Sequence, residues 1–245
     1  MKRNFLQSFW LNYWIPLLVL AAFVVATGVF LVAFGVPVVA VVSFSGELTE
    51  GNVRPLQRAL SEVGENRAVK AVVVDLSSPG GSASTVEELY LQVLRVREEK
   101  PVVVSVGDRA TSGAYYLSVA ANEIFAKPSS TVGNVGVIAS FPDEKEDSKV
   151  VTGPFKVTGH ERSDFPVKVQ LIEENFLNAV VLQRGDRLAL RREEVAKSKV
   201  YLGVEALGVG LVDRIGPVAE AVERAAELGK LRNFRVERVS SEGKE

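Results

Sequence analysis

The spacing of apolar residues changes several times along the chain, and each change marks an element. No side chain between Arg3 and Glu47 is charged. Within that stretch, Ile15 to Phe34 supplies the roughly 20 apolar residues that a transmembrane helix needs, and Gly35-Val36-Pro37 ends the run. Trp10, Tyr13 and Trp14 stand at its start, where amphipathic rings favour the headgroup layer. Val38 to Val42 is short and β-branched, as expected of a buried strand that opens a separate domain.

Beyond Pro37 the pattern alternates between helical and strand spacing, which predicts an α/β domain with parallel strands. Val53, Leu56, Leu60 and Val63 form the stripe of a helix over 52–63. Ala71 to Leu76 reads as a buried strand, and 84–96 as a helix with Glu87 and Glu88 in its first turn. Pro101 to Val106 is again a strand. It is followed by a small-residue turn, Gly107 to Gly113, and an apolar helix, Ala114 to Ala121. Short strands are expected at Glu123 to Ala126 and Val135 to Ser140, then a charged stretch, Asp143 to Lys149. A long helix around Val169 to Leu190, a short one near Glu193 to Lys197 and a last one at Val218 to Leu228 complete the pattern. The chain thus divides into an N-terminal piece (1–14), an apolar anchor (15–34), a folded domain (37–235) and a polar tail (236–245).

Charge then orients the anchor. Lys2 and Arg3 precede it and Glu47 and Glu50 follow, so the positive-inside rule keeps the N-terminus cytoplasmic and puts the domain outside. Ala33-Phe34-Gly35 has the small residues of a signal-peptidase site, but the apolar stretch exceeds the roughly 7–15 residues of a cleaved signal, which favours an uncleaved anchor. With 29 basic against 30 acidic residues there is no clustered basic excess to attract nucleic acid. The chain has no cysteine, which removes thiol nucleophiles and Cys-based metal sites, and its single histidine argues against a histidine-built metal centre. Chemistry must come from oxygen and amine groups.

Three segments carry such groups. Ser77-Ser78-Pro79-Gly80-Gly81 lies where a buried strand gives way to a helix, the end of the sheet at which α/β active sites form. Paired glycines there expose backbone N–H groups, although an ordinary turn has the same composition. Ala110-Thr111-Ser112-Gly113-Ala114-Tyr115-Tyr116 puts a serine at a helix N-terminus, where unpaired N–H groups stabilise negative charge. A plain N-cap is the commonest reason for a serine there and, on local sequence alone, the better explanation, and alanines at 110 and 114 stand where a Gly-x-Ser-x-Gly elbow needs glycine. A nucleophilic serine needs a base. His160 is one option, with Glu161 and Asp164 nearby; Lys156 is the other, set among Val151, Phe155 and Val157 after the turn Thr152-Gly153-Pro154. A lysine base must lose roughly 3 units of pKa through burial.

The order Pro-Gly-Gly after a strand, then Ser-Gly-Ala-Tyr-Tyr, then Thr-Gly-x-x-Lys resembles the signal peptide peptidase A family of membrane serine peptidases. The stretch Tyr201 to Gly216, with Gly210-Leu211-Val212-Asp213, looks like that family's later pattern. The resemblance covers roughly 37–216. It implies a Clp protease/crotonase-like domain of repeated β-β-α units behind one N-terminal transmembrane helix. It also implies Ser112 as nucleophile, Lys156 as general base, and an oxyanion hole from Gly80 or Gly81 with the N–H of Ser112 or Gly113. Extended substrate would lie along Ser82, Ala83 and Ser84 and along Val135, Gly136 and Val137. Asn134 stands where the family often has a serine that orients the lysine. No metal or organic cofactor is implied. The expected partners are membrane-derived apolar peptides, lipid around the anchor and further copies of the chain in a homo-oligomer. A stomatin-partner type of membrane peptidase and an inactive assembly module of the same fold are the competing readings.

Overall fold

The computed structural model describes residues 13–33, 35–140, 159 and 161–239, without the side chains of 29–33 and 162. It divides into two units, Met1–Pro37 and Val38–Glu245. The first contains a helix, α1 (Ile15–Ala33), with no charged residue along its 19 positions. Its side chains are described only as far as Gly28, and among the described residues no helix is long and apolar enough to cross a membrane.

The second unit is built on an eight-stranded sheet of order β6-β5-β3-β2-β1-β8, with β4 paired to β3 and to β7. Strands β1 (Val38–Ser45), β2 (Val69–Ser78) and β3 (Val102–Thr111) form its centre, joined by helices α2 (Glu50–Glu65) and α3 (Ala83–Glu99). The next elements are α4 (Gly113–Val119), β4 (Glu123–Ala126) and β5 (Thr131–Gly133), followed by the long α5 (Phe165–Arg184) and the short α6 (Arg192–Val195). Strand β6 (Val200–Leu202), α7 (Gly203–Gly208), β7 (Arg214–Ile215), α8 (Val218–Leu228) and β8 (Arg235–Val239) complete the unit. All strand pairs are parallel except β5 with β6.

The central strands are apolar on both faces because both are covered. Val38, Ala40, Val42, Val72, Val74, Val102 and Val104 face the larger core, shared with α2, α3, α4 and α5. Val39, Val41, Val73 and Val103 face the smaller one under α8. The stripe read from sequence in α2 is its buried face: Val53, Leu56, Leu60 and Val63 are each no more than 1% exposed.

Three expectations change. The turn expected over 107–113 is instead the second half of β3, where the strand exchanges partners: Val103–Val106 pair with β4 and Arg109–Thr111 with β5. Gly107 allows this because a Cβ there would sit 3.0 Å from that of Ser77. One long strand thus serves two branches of the sheet before α4 begins. The strand expected at Val135 to Ser140 is absent; pairing ends at Gly133, and Asn134, at φ 55°, turns the chain out of the sheet. Finally, β8 pairs in parallel with β1 through Val42↔Val239, so the sheet runs into the first residues of the expected polar tail. The remainder of that tail, 240–245, lies outside the described residues.

Candidate active site

Ser112 sits between the last residue of β3 and the first of α4, at φ 53° and ψ −128°. Those angles belong to the region normally left to glycine, and a β-carbon held there costs about 1–3 kcal/mol. The backbone is pinned from both sides. Ser112 N–H donates to Gly133 O of β5 at 2.9 Å, and Ser112 O accepts from Tyr115 N at 2.9 Å and Tyr116 N at 3.1 Å. The side chain makes no cap hydrogen bond, so helix capping does not account for the serine. The geometry is that of a nucleophile elbow without its flanking glycines. Ala110 and Ala114, both fully buried, are small enough to occupy those places.

The double glycine packs directly against this junction. Gly80 has φ 105°, and a Cβ on it would lie 2.7 Å from Gly113 N and 3.0 Å from Thr111 O. A Cβ on Gly81 would collide with Leu48 O. The segment is stapled to the β1–α2 connection, since Leu48 N donates to Gly80 O at 2.8 Å and Ser82 N donates to Leu48 O at 3.1 Å. Of the N–H groups expected to face an oxyanion, two are already committed: Gly80 N–H to the buried Ser78 Oγ at 3.1 Å and Ser112 N–H to Gly133 O. Gly81 and Gly113 N–H have no hydrogen-bond partner among the described residues. They lie close together, since a Cβ on Gly113 would be 3.3 Å from Gly81 N.

A cleft of about 500 Å³ opens onto Ser112. Ser82, Ala83, Gly136 and Val137 line it with Gly80, Gly81 and Gly113, so most of the residues expected to contact substrate do meet there. Val135 does not. It is 2% exposed, and its carbonyl accepts from Ser198 Oγ at 2.6 Å, so it anchors the segment from below. Val86, Tyr116, Ile172 and Phe176 also line the cleft and were not singled out from sequence. The apolar residues at 172 and 176, one turn apart on the same side of α5, were the available signal.

Asn134, two residues before the cleft-lining Gly136, donates from Nδ2 to Ser198 O at 3.0 Å and from its N–H to Lys199 O at 2.8 Å. Its Oδ1 accepts no hydrogen bond among the described residues. Lys156 and His160, the two candidate bases, lie outside the described residues. Among those described, no group of His, Asp or Glu is arranged to hold a metal.

A strained serine at a strand-to-helix junction, close to two backbone N–H groups without a partner among the described residues, fits the class of hydrolases that work through a serine nucleophile. Within that class the sequence identifies the particular family. Residues 95–232, more than half of the chain, match the profile of Peptidase family S49, and the chain belongs to that family. It is 31% identical over 211 residues to Protease 4 of Salmonella typhi, an alignment covering 78% of this chain and 34% of that protein. It is 31% identical over 189 residues to the chloroplastic serine protease SPPA of Arabidopsis thaliana, covering 70% of this chain and 28% of the plant protein. The chain therefore spans about a third of the length of these relatives. In fold it is similar to the 1510-N membrane-bound stomatin-specific protease, solved as a variant in complex with a substrate peptide; the TM-score is 0.59 at 17% identity, over 86% of this chain and 94% of that one.

Proposed function

We propose that the protein is a membrane-anchored serine endopeptidase that cleaves apolar, membrane-derived peptides such as spent signal peptides. The observation that carries the reading is the strained Ser112 with a hydroxyl free of any cap, next to the unpartnered N–H groups of Gly81 and Gly113. In the proposed reaction Lys156 takes the proton from Ser112 Oγ as the oxygen attacks the substrate carbonyl. The carbonyl oxygen, now an anion, accepts from Gly81 and Gly113 N–H. Collapse breaks the C–N bond, and the proton passes from Lys156 to the leaving amine. Water, deprotonated by the same lysine, then attacks the acyl carbon; the bond to Ser112 Oγ breaks, the proton passes from Lys156 to Oγ, and the acyl group leaves as the acid. A fluorophosphonate probe tests this: it should form one adduct, mapped by mass spectrometry to Ser112, and Ser112→Ala should abolish both adduct and hydrolysis. Peptide hydrolysis that survives Ser112→Ala would overturn the assignment.

Asn134 is proposed to orient Lys156. Its Nδ2 is held by Ser198 O, which leaves Oδ1 to accept from the lysine amine. Asn134→Ser is expected to keep substantial activity and Asn134→Ala to lower the rate. Asn134→Asp should move the pH optimum upward: a carboxylate stabilises the charged ammonium, raises its pKa and so delays appearance of the neutral base. An unchanged pH–rate profile in Asn134→Asp would show that residue 134 does not touch the base.

The anchor proposal rests on α1, uncharged along its length, and on Lys2 and Arg3 before it, with the peptidase domain placed outside the cytoplasm. Protease added to spheroplasts should then reach the domain, and N-terminal sequencing of the membrane form should begin near Met1; a form beginning at Val36 would contradict it. Self-association is supported by the first half of α5, where Val167 and Leu171 are 57% and 60% exposed. A stomatin-like target is the alternative substrate reading, favoured by the fold of the stomatin-specific protease.

A further inference from the structure

Beyond the serine, the cleft narrows into a corner between α3, α4 and α5 that the backbone motifs do not explain. Val86, on the first turns of α3, abuts the nucleophile junction, since a Cβ on Gly113 would be 2.6 Å from Val86 Cγ2. Opposite it, Ile172 and Phe176 of α5 complete an apolar wall. The base of the corner is Tyr116, whose ring stacks on Phe176 at a centroid separation of 4.7 Å and tilts against Tyr90 at 4.8 Å. Tyr116 is only 9% exposed.

The polar groups of this corner are unusual for an apolar pocket. The neighbouring Tyr90 hydroxyl accepts from Gln183 Nε2 at 3.1 Å, but the Tyr116 hydroxyl has no hydrogen-bond partner among the described residues. A buried phenol left without a partner is costly unless something else satisfies it. Glu87, one turn before Tyr90 on α3, also lines the cleft and makes no ion pair among the described residues. Glu47 lines the other end of the cleft, and among the described lining residues there is no lysine or arginine. The carboxylate of Glu87 is close enough to act on the phenol electrostatically: burial first, then Glu87 and Tyr90, pushes Tyr116 up to about 12. The phenol therefore stays neutral, with an oxygen able to accept, while Glu87 supplies negative charge.

We infer that this corner is a side-chain subsite for a basic residue, lysine or arginine, of the substrate. The aliphatic stem would lie along Val86, Ile172 and Phe176, and the cationic tip would donate to Tyr116 Oη and the Glu87 carboxylate. This rests on the peptidase reading and refines it, because a purely apolar substrate would offer no partner to two groups that have none among the described residues. The cleft thus selects apolar peptides that carry a positive charge within reach of the scissile bond.

The test uses the full chain in detergent and matched fluorogenic peptides that differ by lysine or norleucine at one of the three positions before the scissile bond. At one position the lysine peptide should have a kcat/KM about fivefold or more above its norleucine twin. Glu87→Gln and Tyr116→Phe should each shrink that ratio toward one, and raising the salt concentration should shrink it in wild type but not in Glu87→Gln. Binding of the same peptides to Ser112→Ala, followed by fluorescence anisotropy, gives a readout independent of catalysis and should show the same preference. Ser112-dependent cleavage with equal or better norleucine peptides at every position overturns the subsite while leaving the peptidase intact. Lysine-selective binding without any cleavage supports the subsite and overturns the peptidase reading. Equal binding of both peptides overturns the subsite even in an inactive protein.

Discussion

Lys156→Ala is expected to lower peptide hydrolysis by on the order of 10³-fold or more, with loss of fluorophosphonate labelling and an unchanged melting temperature. His160→Ala should stay close to wild type. The magnitude follows from the division of labour in a serine peptidase. Positioning and the oxyanion hole survive loss of the base, but an undeprotonated hydroxyl is a poor nucleophile. The Ser112 hydroxyl has no hydrogen-bond partner among the described residues, and Lys156 and His160, the two candidate bases, lie outside them. Lysine fits the mechanism only if burial lowers its pKa by about 3 units, roughly 4 kcal/mol. The wild-type rate should then rise with pH to a plateau set by that lowered value, well below the ordinary lysine range. A rate that instead rises around pH 6 to 7 and collapses in His160→Ala would transfer the role to the histidine.

The second large effect is on stability. Asp213→Ala is expected to cost about 3–5 kcal/mol, read as a fall of roughly 10 °C in melting temperature. Arg184, 2% exposed, meets Asp213 through Nη1 at 2.8 Å and Nη2 at 2.9 Å, and donates from Nε to Gly210 O at 2.8 Å. Arg187 adds a bond to Asp213 Oδ1 at 3.0 Å, and Ile124 N–H one to Oδ2 at 2.7 Å. Without the carboxylate, a guanidinium is left buried with only a carbonyl opposite it. The cluster joins α5, β4 and the α7–β7 connection, and Tyr115, three residues after Ser112, ties in through its hydroxyl to Leu211 O at 2.8 Å. Asp213→Asn, which keeps an acceptor on one side, should lose less. A melting temperature in Asp213→Ala within 2–3 °C of wild type, under about 1 kcal/mol, would show that the pair is not holding these elements together.

The parts of this architecture that were legible in advance are those where one physical requirement dominates. Continuous valine runs reveal β1, β2 and the first half of β3 because both faces are buried. Val53, Leu56, Leu60 and Val63 reveal α2 because only one face is. The second half of β3 was hidden because Gly107, Asp108 and Arg109 are turn residues by type, and only the bifurcation of the sheet makes them strand. Strands β6 and β7 are three and two residues long, too short to carry a period. At the site, Ser112 and the glycines could be placed from chain order, but the strained angle of the serine and its lack of a cap hydrogen bond are visible only in the fold. Which glycine N–H groups are free depended on Ser78 Oγ and Gly133 O, partners distant in sequence or on another element. Tyr116 stood in plain view inside a motif, yet the lack of a partner for its hydroxyl among the described residues is a property of what surrounds it.

The angle at Ser112 also says something about how such a protein ages in evolution. Glycine at that position would relieve the strain, so the substitution that removes the nucleophile relaxes the backbone that carries it. Selection for activity holds the chain in a locally uncomfortable state; when that selection lapses, drift away from catalysis is favoured by backbone energetics, and return is opposed by them. Loss of the serine with the sheet, the glycine pair and the Arg184–Asp213 cluster kept in place is therefore an easily reached change for this backbone.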